Sequence, residues 1–431
     1  MDASPAGYEA LIQTIFRRFP SVQKEGFSTG AYKPGLANME AFDRALGHPS
    51  RAFRSIHIAG TNGKGSVANM LASALHRCGC KTGLFTSPHI ADFRERMRID
   101  GAMVPKDYVQ AFLLAWLPWA EKHGLSFFEI TTGLAFKWFA DAGVDVAVIE
   151  TGLGGRLDST NILRPELAVV TTIGRDHCAL LGDSLAQIAA EKAGIFKEGV
   201  PALVGETQPE TAPVFREKAR SFCPLSFADQ TVPSLWERHA EMLAAMDLQA
   251  AVQAKNLRTV LCAVDLLRPV FPALSDGEAV IDGIVHTARD MEFHGRWEKL
   301  SDNPCVIADI GHNAQALGAH FARMEEWLDR GRFRSLILVY GIMADKDLDA
   351  ILPLFPARAT CILTAPDTPR ALPAEVLAER FRAAAVQQVL VRPAVADAVA
   401  LALELSRRDP ATLVYIGGST FVVAEALPLF R

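Results

Sequence analysis

Residues 56–66 read Ile56-His57-Ile58-Ala59-Gly60-Thr61-Asn62-Gly63-Lys64-Gly65-Ser66, a β-branched run passing into a segment of glycines, hydroxyls and one lysine. This is the composition of a phosphate cradle. Glycines let backbone N–H groups converge without a Cβ in the way, a following helix adds partial positive charge at its N-terminus, and Lys64 can neutralise the outer phosphates of a nucleotide. Ser66 could add a hydroxyl contact. The spacing departs from the common G-x-x-x-x-G-K-[ST], because position 58 is Ile and Gly65 separates Lys64 from Ser66.

Two further segments carry groups suited to the same chemistry. Val148-Ile149-Glu150 ends an apolar run and opens onto Thr151-Gly152-Leu153-Gly154-Gly155-Arg156-Leu157-Asp158. Ligands of open α/β sheets sit beyond the carboxyl ends of strands, so Glu150 could hold the magnesium that phosphate chemistry needs; a glycine turn with a solvated acid is the plainer alternative. The glycines do not complete a dinucleotide fingerprint, since a third at the required spacing is missing. Thr171-Thr172-Ile173-Gly174-Arg175-Asp176-His177 again closes an apolar run, and His177 reads equally as a metal ligand or as a capped loop histidine. Nothing in its surroundings marks Lys192.

The elements that must position these groups follow from periodicity. Short β-branched runs at 55–58, 81–85, 144–150 and 167–173 alternate with segments of helical spacing at 65–77, 105–122, 130–142 and 184–197. That alternation specifies a mostly parallel sheet covered by helices. The pattern loosens after Thr231, with 248–267 strongly helical, and a boundary is placed near Phe293-His294-Gly295-Arg296-Trp297. Strand and helix alternation then restarts, with strands at 305–309, 335–340, 360–364, 388–391 and 412–416. The expectation is an α/β chain with domains at 1–293 and 294–431.

Composition agrees with small-molecule chemistry. At 431 residues the chain is too long for one ordinary core. A net charge of -5, from 44 basic against 49 acidic residues, lacks the basic surplus needed to coat nucleic acid or an anionic membrane. Seven scattered cysteines form neither a disulfide framework nor a zinc pattern, which fits a reducing, cytoplasmic setting. No apolar run reaches the roughly 18 residues that crossing a bilayer requires.

Taken together, Gly60-Thr61-Asn62-Gly63-Lys64-Gly65, Thr86-Ser87-Pro88-His89, Glu150 with Gly152-Leu153-Gly154-Gly155-Arg156-Leu157-Asp158, Asp176-His177 and Glu191-Lys192-Ala193-Gly194-Ile195 resemble the folylpolyglutamate synthase/dihydrofolate synthase family of the Mur ligase superfamily. The likeness continues through Gly295-Arg296, Asp309-Ile310-Gly311-His312-Asn313, Gly341, Asp345-Lys346-Asp347 and Gly417-Gly418-Ser419.

The resemblance implies a P-loop Mur-ligase-like N-terminal domain with a mostly parallel sheet, and a smaller Rossmann-like C-terminal glutamate ligase domain. It implies an ATP- and Mg2+-dependent ligase that joins L-glutamate to dihydropteroate and/or (tetrahydro)folate through an acyl phosphate. By the same likeness Thr61, Asn62, Gly63 and Lys64 meet the ATP phosphates, Asn256, Arg296 and Asp309 the base and ribose, and Ser87, Glu150 and His177 the metal. Lys64, Glu150, His177 and Lys192 are the implied catalytic groups, with Lys192 matching a lysine that the family carbamylates. Ser126, Leu157, Asp158 and Ser159 match pterin-contact positions. Tyr32-Lys33-Pro34-Gly35-Leu36-Ala37-Asn38-Met39 matches the family's pterin-side motif only in part. A single-activity folylpolyglutamate synthase and a Mur-type amino-acid ligase are the alternatives. The partners implied are small molecules, with no nucleic acid or membrane, and the chain is expected to act as a monomer.

Overall fold

The computed structural model describes residues 5–19, 35–386 and 388–430. The chain divides into two compact units, one of residues 1–247 and 252–293, the other of residues 248–251 and 294–431. Tyr32, Lys33 and Pro34 of the pterin-side motif lie outside the described residues.

The first unit is built on an eight-stranded sheet. Its strands are β1 (Arg54–Ala59), β2 (Thr82–Phe85), β3 (Met97–Ile99), β4 (Ala102–Met103), β5 (Val146–Glu150), β6 (Leu167–Val170), β7 (Ala202–Val204) and β8 (Leu225–Phe227), in the order β4-β3-β2-β5-β1-β6-β7-β8. Six strands run parallel, while β3 pairs antiparallel with both β2 and β4. Every residue of β5 and β6 is buried, as expected of central strands covered on both faces.

Helices α1 (Pro5–Arg18), α2 (Ala37–Ala45), α3 (Lys64–Arg77), α4 (Lys106–Lys122), α5 (Phe127–Ala142), α6 (Leu185–Lys192), α7 (Gln253–Leu267) and α8 (Gly277–Val285) belong to this unit. Phe42, Phe85, Phe136 and Phe139 lie in one core cluster with Ile149. Ile188 and Phe215 lie in another with Val170.

The second unit holds a six-stranded sheet of β9 (Glu298–Asp302), β10 (Cys305–Asp309), β11 (Ser335–Tyr340), β12 (Ala359–Leu363), β13 (Gln388–Val391) and β14 (Thr412–Gly417), ordered β13-β12-β11-β14-β10-β9. Only β9 runs antiparallel.

Three sequence-based boundaries move. The apolar run at 167–173 stops being a strand at Val170: the Thr171 amide still donates to Ala59 O of β1, but the hydroxyls of Thr171 and Thr172 donate to Asn62 O and the Thr172 carbonyl accepts from Thr61 N, which ties the segment to loop 60–63. The helix expected at 184–197 ends at Lys192 and tightens into a 3-10 turn, Ala193–Ile195. The periodic stretch from 248 becomes helical only at Gln253. All seven cysteines are free. Among the described residues no helix is long and apolar enough to cross a membrane.

Candidate active site

Because β5, β1 and β6 are parallel neighbours, their carboxyl ends share one edge of the sheet. That edge gathers Glu150, the loop 60–63 and the segment 171–177. Gly63 is the N-cap of α3 and has φ +86, a left-handed conformation that a side chain would strain. A Cβ there would also stand 2.5 Å from Asn256 Oδ1, so Asn256 of α7 seals the back of the loop. Its Nδ2 donates to Gln253 Oε1 at 2.8 Å.

The loop hangs on the extension of β6. The Thr61 amide donates to Thr172 O at 2.7 Å, the Thr61 hydroxyl to Gly174 O at 3.1 Å, and the Thr171 hydroxyl to Asn62 O at 2.6 Å. Two amines converge on a single oxygen within it. Lys64 Nζ donates to Gly60 O at 3.0 Å and to Thr61 O at 3.2 Å, and Lys192 Nζ to Gly60 O at 2.8 Å. Burial, and secondarily the charge of Lys64, push the Lys192 amine down from 10.5 to about 7. The sequence gives no sign of this, since Lys192 closes an ordinary amphipathic helix.

At the neighbouring strand end, the Ser87 amide donates to Glu150 Oε2 at 3.1 Å, which brings two of the three expected metal-site residues into contact. His177 follows β6 with φ 54, its amide on Asp176 Oδ1 at 3.0 Å and its Nε2 3.6 Å from Asp176 Oδ2.

A residue that sequence reasoning missed stands beside Glu150. Arg96 is buried, its Nε donates to His89 Nδ1 at 2.8 Å, and its guanidinium lies 5.3 Å from the centre of the Phe127 ring. Burial lowers the guanidinium to about 10, opposed by the charges of Glu150 and Glu95. Only the antiparallel turn from β2 to β3, unreadable in so short a strand, brings Arg96 there.

Loop 152–158 is clasped to the end of α6. The Arg156 amide donates to Glu191 O at 2.8 Å, its guanidinium meets Glu191 Oε1 at 2.8 Å, and Asn161 Nδ2 bridges Arg156 O and Gly194 O at 3.0 and 3.1 Å. A Cβ on Gly194 would fall 2.3 Å from Arg156 Cβ, so two sequence motifs far apart in the chain are one packed unit.

The four expected pterin-contact residues are placed differently from one another. Ser126 is buried as the N-cap of α5, in a reciprocal capping box with Glu129. Asp158 is buried and turned into its own loop, accepting from Leu153 N at 2.8 Å and from the amide and hydroxyl of Thr160. Leu157 and Ser159 are partly exposed.

In the second unit Asp309 ends β10 and accepts from Trp297 N at 2.8 Å and Gly311 N at 2.7 Å. The first of these bonds brings the Arg296 segment to Asp309. His312, beside them in sequence, has Nδ1 3.1 Å from Ile310 O.

Residues 58–224 match the Mur ligase middle domain and residues 295–420 the Mur ligase glutamate ligase domain. A Bacillus subtilis dihydrofolate synthase/folylpolyglutamate synthase is 34% identical over 336 residues, taking in 73% of this chain and 76% of that one. The chain belongs to the folylpolyglutamate synthase/dihydrofolate synthase family. Within this family of ligases it is also 36% identical over 421 residues to a Haloferax volcanii protein whose name joins folylpolyglutamate synthase to dihydropteroate synthase. That match takes in 91% of this chain and 48% of the other, so the chain spans about half the length of that relative. A solved Mycobacterium tuberculosis folylpolyglutamate synthase with ADP and AMPPCP superposes with a TM-score of 0.81 at 29% identity, covering 99% of this chain and 98% of that one.

Proposed function

We propose that this family member joins L-glutamate to dihydropteroate and/or (tetrahydro)folate at the expense of ATP, through an acyl phosphate. The observation that carries the reading is the convergence of Lys64 and Lys192 on Gly60 O, at the same sheet edge as the Ser87–Glu150 contact. Such an edge suits a phosphoryl donor on one side and an acid on the other. The M. tuberculosis relative is named for ADP and AMPPCP complexes, and an Escherichia coli FolC structure at 27% identity for DHPP and ADP.

A carboxylate is a poor electrophile. Its oxygen first attacks the γ-phosphoryl group, releasing ADP; the glutamate amine then attacks the activated carbonyl carbon and phosphate leaves. Backbone amides 62–64 and the Lys64 ammonium hold the phosphates as charge develops on them, so catalysis is mainly positioning and electrostatic stabilisation. Loop 152–158 orients the acid.

The donor set suits magnesium. Glu150 and Ser87 offer hard oxygen, His177 a ring nitrogen, and among the described residues no three His, Cys, Asp or Glu side chains gather into a closed cage. That open set is what an ion sharing its coordination with substrate phosphates requires. When bound, the ion supplies charge neutralisation and alignment of the phosphates. Lys192, with its amine held near neutrality, is in the state that adds carbon dioxide to form a carbamate. Asn256, Arg296 and Asp309 would take the nucleoside, and the chain would act as a cytoplasmic monomer.

The test is ATP turnover with dihydropteroate or tetrahydrofolate supplied separately, with and without glutamate, the product identified by mass. Phosphate release that requires both acid and glutamate is expected. Release that requires neither overturns the reading in favour of a nucleotide-driven switch.

A further inference from the structure

His57 lies in the middle of β1, between β5 and β6, paired with Ile149 on one side and Ala168 on the other. Its side chain is 0% exposed. An aliphatic residue would satisfy that position, and an imidazole there must justify the desolvation of two ring nitrogens. Nε2 lies 2.8 Å from Thr160 Oγ1, whereas Nδ1 has no hydrogen-bond partner among the described residues. Thr160 Oγ1 in turn lies 2.5 Å from Asp158 Oδ1.

The direction of this chain is fixed by its far end. Burial raises the Asp158 carboxyl from its ordinary value and the donors around it oppose that rise; it accepts from Leu153 N at 2.8 Å, from Thr160 N at 3.0 Å and from the Thr160 hydroxyl. Having donated, that hydroxyl has a lone pair for Nε2–H, so the ring is the neutral tautomer carrying its proton on Nε2. Burial, with the charge of Lys197 adding to it, lowers the imidazole to about 3, which keeps it neutral.

Loop 152–157 lies outside every strand, and the Asp158 carboxylate is one of its few internal ties. The same strand that carries His57 runs three residues later into the phosphate loop. We infer that His57 is a positioning residue: through Thr160 and Asp158 it sets the loop facing the acid substrate in register with the loop that holds the phosphoryl donor. The substrate side of this inference rests on the ligase reading above, and the structural side does not.

Four single variants and the double His57→Leu/Thr160→Val variant test it. His57→Leu and Thr160→Val break the chain, the latter without change of shape, while His57→Gln keeps an N–H and Thr160→Ser keeps the hydroxyl. Breaking the chain is expected to raise KM for the acid about tenfold while KM for ATP stays within about twofold, and the double variant is expected to be no worse than the poorer single one. His57→Gln and Thr160→Ser should restore most of the loss.

Hydrogen exchange at the Leu153 amide gives a readout independent of turnover, and is expected to quicken about tenfold in His57→Leu and Thr160→Val. Unchanged Leu153 exchange in the folded Thr160→Val protein overturns the inference, as does an equal rise in KM for ATP and acid. If the wild type forms no amide bond, the ligase reading falls while exchange at Leu153 still decides the relay.

Discussion

Replacing Lys192 by Met tests the electrostatics of the site most directly. The amine is 4% exposed, bound to one carbonyl and next to a second ammonium, and it sits at about 7 in place of 10.5. At about 1.4 kcal/mol per tenfold, the ammonium form is disfavoured in the folded chain by roughly 5 kcal/mol. The unfolded chain keeps this proton up to about pH 10.5, whereas the folded chain releases it near pH 7. Across that window the unfolded state binds more protons, so stability rises with pH, and below it this group contributes no slope. Between about pH 7 and about pH 9 the wild type should therefore gain about 2 kcal/mol relative to Lys192→Met. Urea unfolding of both proteins without nucleotide, at several pH values across that interval, measures the difference. Parallel stability curves would refute the reasoning, because they would mean that the amine is as well solvated in the folded chain as in the unfolded one.

Lys64→Ala and Glu150→Ala should each lower ligation by more than about a hundredfold with far-UV circular dichroism unchanged; near-normal turnover of Glu150→Ala at saturating magnesium would displace the metal from this edge. Chelation should abolish turnover and added magnesium restore it, read as phosphate release. Arg96→Met should lower the magnesium concentration for half-maximal rate, with Arg96→Lys between the two, since the fixed cation that competes with the ion for Glu150 is then lost or only roughly replaced. Gly194→Ala should cost about 2 kcal/mol by forcing its neighbour Arg156 aside, read as a lowered Tm.

The sheet edge was legible because its strands are nearly continuous apolar runs, and burial on both faces leaves such runs no other reading. Strand β5 ends at Glu150, as its sequence indicates, and the glycine-rich loop follows β1. What periodicity could not resolve were elements of two or three residues, such as β3, β4 and β7, too short to display a repeat. Arg96 and His57 escaped for a different reason. Each is defined by a partner far along the chain, Glu150 and Phe127 for Arg96 and Thr160 for His57, and neither one arginine among the three at 94, 96 and 98 nor a single histidine within a strand carries a local mark of that partner. Asp158 belongs to a recognisable motif, but only the fold reveals that its carboxylate faces inward toward Thr160 rather than outward.

Gly60 O accepts from two amines at once. Any polyanion that draws Lys64 outward leaves that oxygen to Lys192 and brings negative charge near, and both changes tighten the grip of Lys192 on its proton. The empty-handed protein is thus the form in which this nitrogen is most nucleophilic, and a chemical change at it is best made before the nucleotide arrives.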